Sequence, residues 1–167
     1  MITLSSRRLV LYPLSVEDKD FFVSLFTNKD VMKYIGTAHD LESAENKLLE
    51  FLSDCKDKKR YLWVVKKKNT EVPIGIMGLS SDCQRWNLGA MLKKDMIGFG
   101  FGPEAMYSVI TAGFDLLKID TIYGVIMNEH KVSQKAAKEV GFRYHSSLED
   151  GTSLWAVYAN RVVECEE

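Results

Sequence analysis

The stretch from Arg85 to Leu117 constrains this chain most. A strand-like run, Arg85-Trp-Asn-Leu-Gly-Ala-Met-Leu92, leads toward glycines at alternate positions, Gly98, Gly100 and Gly102, and these open straight into a periodic helix. Met106, Val109, Ile110, Gly113, Phe114 and Leu117 recur at spacings of three and four, so they share one helix face. Pro103 stands in the first turn, where a missing N–H is tolerated. A strand, a glycine loop and a helix in that order turn backbone N–H groups and the positive end of a helix dipole toward an anion. Glycine there lets a phosphate approach the backbone. A plain strand-to-helix turn has the same pattern, so the motif alone leaves both readings open. A dinucleotide fingerprint fits poorly, because the third glycine of G-x-G-x-x-G would fall on Pro103, and no G-x-x-x-x-G-K-[ST] run is present.

On either side of this segment, the period separates strand from helix. Residues 9–14 read as an opening strand, after which Ser15 caps a helix whose third residue is Asp18 and which buries Phe22, Leu25 and Phe26. A second helix follows Asp40, with Ala44, Leu48, Phe51, Leu52 and Cys55 on one face. Residues 61–65 and 72–79 form a hairpin across Asn69 and Thr70. Residues 121–127 are a buried strand, a short helix runs from about His130 to Val140 and stops at Gly141, and strands 142–148 and 152–159 meet at Glu149-Asp-Gly151. The order predicts a mixed-sheet α/β fold in one domain, residues 1–167.

Composition excludes several classes. With 167 residues, 46% apolar, the chain is long enough for a core without metal or disulfide staples. Cys55, Cys83 and Cys165 are odd in number and far apart, and no metal site is expected. Twenty-two basic against 23 acidic side chains give a net charge of -1, unlike a protein that neutralises nucleic-acid phosphates. The first eight residues lack the apolar stretch of a signal peptide, and no run is long enough to span a membrane. The expectation is a cytoplasmic protein, monomer or homodimer, with a small or peptidic partner.

Several segments, in their order and spacing, carry a resemblance. Arg8-Leu-Val-Leu-Tyr-Pro-Leu14 is similar to "RLxLRPL", Asp30-Val-Met-Lys-Tyr-Ile35 to "dpeVmrYl", and Ile74-Gly-Ile-Met-Gly-Leu79 to "IGxiGL". Leu88-Gly-Ala-Met-Leu92 is similar to "iGYwL", residues 98–105 to "GKGYATEA", and residues 133–142 to "aSixvxeKlGF". Over almost its whole length the chain resembles a GNAT-superfamily N-acetyltransferase of the ribosomal-protein N-terminal (RimJ/RimL-like) type. The resemblance implies the GNAT fold: a mixed, mostly antiparallel seven-stranded sheet with about four helices, splayed between its fourth and fifth strands. It implies acetyl-CoA as donor. The pyrophosphate role falls on Phe99, Gly100, Phe101 and Gly102, and backbone contacts to the pantetheine arm on Met91 and Leu92. His130 stands where an asparagine is usual and would donate a hydrogen bond to the cofactor, and Ser133 matches a serine given the acid role.

The departures bear on chemistry. Ile97 replaces a side chain that often contacts phosphate, Asn87 stands where many relatives place a glutamate base on the fourth strand, and Ala137 where others have an acidic tyrosine. Ser133 also fits an ordinary helix-terminal serine. His39, His130 and His145 are the residue type that exchanges protons near neutral pH, although none is marked as a base by its neighbours. Glu149 and Asp150 lie in a turn, where acidic residues are common. Trp86 is of a type most often found in the core or on a sheet face, and only its neighbourhood places it by the acceptor pocket; Lys93 and Lys94 precede the loop and could meet cofactor phosphates, although a solvated strand end explains them equally well. The expected activity is acetyl transfer to a primary amine, an α-amino group above all, by direct attack in a ternary complex. The alternative is a non-catalytic acyl-CoA-binding or regulatory module.

Overall fold

In the computed structural model, which describes residues 2–82 and 85–159, the apolar runs form one eight-stranded sheet. The strands are β1 (Leu4–Ser5), β2 (Leu9–Pro13), β3 (Arg60–Lys67), β4 (Pro73–Asp82), β5 (Arg85–Leu92), β6 (Thr121–Met127), β7 (Arg143–Ser147) and β8 (Thr152–Tyr158). The helices are α1 (Lys19–Phe26), α2 (Lys29–Met32), α3 (Leu41–Lys56), α4 (Phe101–Asp115) and α5 (Lys131–Glu139). Cys83 and Cys165 lie outside the described residues.

Two additions correct the expected seven strands and about four helices. The two-residue β1 pairs Leu4 with Leu11 and Ser5 with Val10, too short a ladder to leave a periodic signal. Helix α2 is a single turn, and the Asn28 side chain accepts hydrogen bonds from the N–H groups of Asp30 and Val31 at its head. The other helix starts follow the sequence. Asp40 caps α3 by accepting from the Ser43 N–H at 2.8 Å. The Ser15 N–H donates to the Asp18 carboxylate at 2.9 Å, at a 3-10 turn that runs into α1.

Strand order is β1-β2-β3-β4-β5-β6-β8-β7. Every neighbouring pair is antiparallel except β5 and β6, which are parallel and meet only at Trp86↔Ile122 and Asn87↔Tyr123. Beyond Asn87 the two strands part, and residues 88–92 have no ladder partner on that side. Counted without β1, these are the fourth and fifth strands, splayed as the resemblance implies.

Period-2 alternation sends side chains to both faces, and each face has its own core. On one, α4 packs with Leu9, Leu11, Trp63, Leu79 and Ile122. The approach is close enough that a Cβ on Gly113 would stand 2.8 Å from Ile122 and 2.9 Å from Leu79. On the other face, α1 and α3 bury Phe22, Leu25 and Leu48 against Leu62, Val64 and Ile76, with the Phe22 and Phe26 rings stacked at 4.2 Å. Fully burying a side chain such as Phe22 contributes roughly 1.5–3 kcal/mol. This second core takes no residue from β6, β7 or β8; on that face Val125 is 53% exposed, while its β8 neighbours Leu154 and Ala156 are buried. Among the described residues, no helix is long and apolar enough to cross a membrane, and no three His, Cys, Asp or Glu side chains form a group able to hold a metal.

Candidate active site

At the open end of β5 a 3-10 turn (Lys94–Met96) leads into the glycine loop. Gly98 and Gly100 have φ of +92° and +77°, left-handed values that glycine adopts without the steric cost of a Cβ. Gly100 is the N-cap of α4, so Phe101 and Gly102 already lie in the helix's first turn. Among the described residues, the N–H groups of Phe99, Gly100, Phe101 and Gly102 make no hydrogen bond; the Glu104 N–H is the first of the helix to do so, donating to the Gly100 carbonyl at 3.3 Å. Four free amides at the positive end of a fifteen-residue helix fit the pyrophosphate of a coenzyme.

Arg8 and, at 5.9 Å from the Phe101 ring centroid, Lys67 are the cations against this loop, not the lysines beside it in sequence. The Arg8 Nη1 donates to the Phe99 carbonyl at 2.9 Å, its guanidinium lies 4.5 Å from the Phe101 ring centroid, and its Nε pairs with Glu104 at 2.7 Å. Lys93 instead extends over the Phe21 ring, and Lys94 forms an ion pair with Asp30 at 2.9 Å that holds the Asp30 carboxyl below its ordinary range. Both point away from the loop, toward α1 and α2. Sequence reading singled out Arg8 only as the first letter of a motif; its contact with a loop some ninety residues on leaves no local signal.

Met91 and Leu92 lie opposite Ile76 and Gly75 of β4, in the part of β5 that β6 does not pair. Their strand edge toward β6 is free for a further extended partner. Across the gap, His130 and Ser133 stand at the head of α5, three residues apart and so on one side of the helix. Ser133 is half-buried, and its hydroxyl has no hydrogen-bond partner among the described residues. Ser133 thus stands in the first turn of α5 without bonding the backbone through its hydroxyl, and the turn is tied by the Gln134 amide, which donates to the Met127 and Asn128 carbonyls. The His130 ring stacks on Tyr34 at 4.2 Å with planes 19° apart. Burial, and then the nearby charge of Lys33, push the His130 pKa below the ordinary 6.5. Tyr34 was missed by sequence reading, although it lies in one of the quoted segments.

The other candidates separate. Asn87, the last β5 residue paired with β6, lines a pocket of about 200 Å³ with Asp82, Arg85, Val125, Leu148 and Leu154. Trp86 points the opposite way, into the α4 core beside Tyr61 at 5.6 Å, and is not among the residues lining the Asn87 pocket. Ala137 is buried in that core at 1% exposure. His39 bonds Ser43 near the start of α3, and His145 is exposed, its ring edge-on to Tyr123 at 6.3 Å. Asp150 is occupied with its own turn: it accepts from the Thr152 hydroxyl at 2.6 Å and the Thr152 N–H at 3.1 Å, which lower its pKa. A groove of about 850 Å³ runs along the outer side of α4 beside Ser5 and Ser6, away from the gap between β5 and β6.

Known proteins share this architecture. The chain is 23% identical over 150 residues to the N-acetyltransferase YoaA of Bacillus subtilis, covering 87% of this chain and 85% of that one. Its fold is similar to that of spermidine N-acetyltransferase from Vibrio cholerae, solved with CoA and spermine, with a TM-score of 0.83 and 17% identity over 94% of this chain and 99% of that one. RimJ from Mycobacterium smegmatis, solved with CoA-disulfide, gives the same TM-score of 0.83 at 14% identity over 96% and 89% of the two chains. The acetyltransferase (GNAT) domain family matches residues 8–143. With that match spanning most of its length, the chain belongs to the GNAT family of acetyltransferases, enzymes that draw their acetyl group from acetyl-CoA.

Proposed function

We propose that this chain acetylates an α-amino group by direct attack of the amine while donor and acceptor are bound together. The observation that carries the acceptor reading is Asn87. At the point where β5 and β6 part, it presents a side chain that cannot take a proton. An enzyme without a carboxylate there works best on an amine already largely neutral. An α-amino group has a pKa of about 7.7–8.0 and a lysine-type amine about 10.4, so their free-base fractions near pH 7.5 differ by a few hundredfold, roughly 3 kcal/mol. That is comparable with what a good general base supplies.

Acetyl-CoA supplies the acetyl group as an activated thioester. As the C–N bond forms and the C–S bond breaks, the amine gives up one proton and the sulfur takes one. In this reading Phe99, Gly100, Phe101 and Gly102 hold the pyrophosphate through their N–H groups, and the free edge of Met91 and Leu92 takes the pantetheine arm. His130, kept in place by Tyr34, supplies a hydrogen bond to the cofactor, and the unpartnered Ser133 Oγ supplies the proton at sulfur and regains one through water from the proton that the amine sheds. The motif resemblance to the ribosomal-protein type supports a peptide or protein N-terminus, or a small molecule with the same group, as acceptor. The reaction belongs in the cytoplasm, with residues 1–167 as one catalytic domain acting as monomer or homodimer.

The test compares kcat/KM for a short peptide beginning with Ser or Ala and for spermidine between about pH 6.5 and 9.5. The peptide should be the better acceptor near pH 7.5, with spermidine gaining as pH rises. Better turnover of spermidine near pH 7.5 would overturn the reading.

A further inference from the structure

The face of β6, β8 and β7 that carries Val125 meets the start of the β5–β6 gap at the 200 Å³ pocket that Asn87 lines. Its chemistry is uneven. Val125, Leu148 and Leu154 make apolar walls, and Arg85 supplies a cation. Arg8, Arg60 and Lys94 each pair with a carboxylate, whereas Arg85 has no carboxylate within 4.0 Å among the described residues. Its guanidinium lies 5.9 Å from the Tyr123 ring centroid, and His145 meets the same ring edge-on. A guanidinium facing a pocket without an ion-pair partner is matched to an external carboxylate, which it can hold by two parallel hydrogen bonds.

We infer that the acceptor is an amino carboxylate of amino-acid size with an apolar body, and that Arg85 selects it by pairing with its carboxylate. This rests on the α-amino reading above and narrows it. Arg85 stands two residues before Asn87 on the same strand face, about 7 Å along the strand. An amino acid with its amine at the Asn87 end and its carboxylate reaching toward the fork closes that span. The side chain then lies against Val125, Leu148 and Leu154. Asp82, which faces Arg85 in the β4–β5 register, is the pocket's one carboxylate among the described residues. A polyamine would bring several ammonium groups to a site holding one carboxylate and one unpaired guanidinium.

The pairing also bears on the proton problem. A carboxylate beside an amine favours the ammonium form and raises its pKa. A guanidinium on that carboxylate offsets the effect, and the bound amine moves toward the value of a peptide terminus. Arg85 thus makes a free amino acid usable where Asn87 offers no base.

The experiment measures CoA release with leucine, leucinamide, a tetrapeptide beginning with Ser, and spermidine, for the wild-type chain and for Arg85→Gln and Arg85→Lys. Calorimetry with N-acetylleucine and with acetyl-CoA accompanies it. Leucine should exceed leucinamide in kcat/KM by about tenfold or more, and Arg85→Gln should erase that margin through KM, with Arg85→Lys restoring part of it. N-acetylleucine should bind Arg85→Gln about tenfold more weakly, while acetyl-CoA affinity and the circular dichroism spectrum stay unchanged. Leucinamide or the tetrapeptide equalling or exceeding leucine would overturn the inference and leave the α-amino reading standing. Preference for spermidine would overturn both. If no amine is turned over, N-acetylleucine binding decides: equal affinity in wild type and Arg85→Gln overturns the inference, and a tenfold loss supports it.

Discussion

Arg8 grips Glu104 twice, its backbone N–H donating to Oε1 and its Nε to Oε2, both at 2.7 Å across 96 residues of sequence. The Ser6 hydroxyl donates to the same Oε1, again at 2.7 Å. The pair fastens the segment between β1 and β2 to the first turn of α4, and the rest of the Arg8 fork holds the Phe99 carbonyl. The loop's shape is therefore set from outside the loop.

A pH dependence follows for Glu104. Burial raises its pKa, but the hydrogen bonds from the Arg8 N–H, the Ser6 hydroxyl and the Arg8 side chain outweigh that and hold it below the ordinary 4.5. The folded form binds this proton less tightly than the unfolded form, so the contribution is complete above the ordinary value and lost as pH falls through the folded one. Arg8 is 42% exposed, which screens the pair, and Glu104→Gln should cost about 1–2 kcal/mol at pH 7. Urea unfolding should show that gap shrinking below about pH 4.5; a constant gap would mean that the charge does not matter.

Gly100→Val should abolish or severely weaken acetyl-CoA binding. At φ +77° a β-branched residue is strained by roughly 1–2 kcal/mol, and its Cβ would stand 3.3 Å from the Arg8 Nη2, at the cradle itself. Calorimetry reads the loss, and circular dichroism checks that the fold survives. Unchanged affinity would remove the loop from the cofactor site.

Ser133→Ala should lower kcat by about 10–100-fold while the acetyl-CoA dissociation constant moves less than about twofold, because a proton delivered to the departing sulfur acts in the transition state. Equal turnover in the two proteins would leave the serine no catalytic part.

The Tyr34–His130 stack is accessible to NMR. His130 should titrate below 6.5, and Tyr34→Ala, by exposing the ring, should move its midpoint upward; Lys33→Gln should do so by a smaller amount, since burial is the larger cause. The depressed pKa makes its share of stability complete above 6.5 and lost as pH falls through the folded value. A wild-type midpoint at or above 6.5 would contradict the burial of the ring.

What the sequence made legible was whatever repeats locally. The faces of α3 and α4, the Asp40 cap and the Gly141 stop all follow from spacings of one to four residues. One turn such as α2 is shorter than a hydrophobic period, although Asn28 two residues before Asp30 was an available capping signal. The loop's glycines were legible too, but its clamp was not, because the Arg8–Glu104 contact depends on how β2 and α4 pack. The directions of Lys93 and Lys94 were equally hidden: adjacency to the loop in sequence counted for less than the 2.9 Å pairing of Lys94 with Asp30.

The two-rung junction between β5 and β6 has a further consequence, in solubility. Sheet proteins ordinarily shield their edges, because a row of unmet N–H and C=O groups recruits strands from other chains. Here the free edge of residues 88–92 lies inside the sheet, where neither a charged side chain nor a bulge guards it without obstructing the gap. In the binding mode proposed above, a coenzyme arm lying along that edge would act as a plug as well as a reactant. Protein held at high concentration without coenzyme A should aggregate sooner on warming than the same protein saturated with it, and light scattering would register the difference.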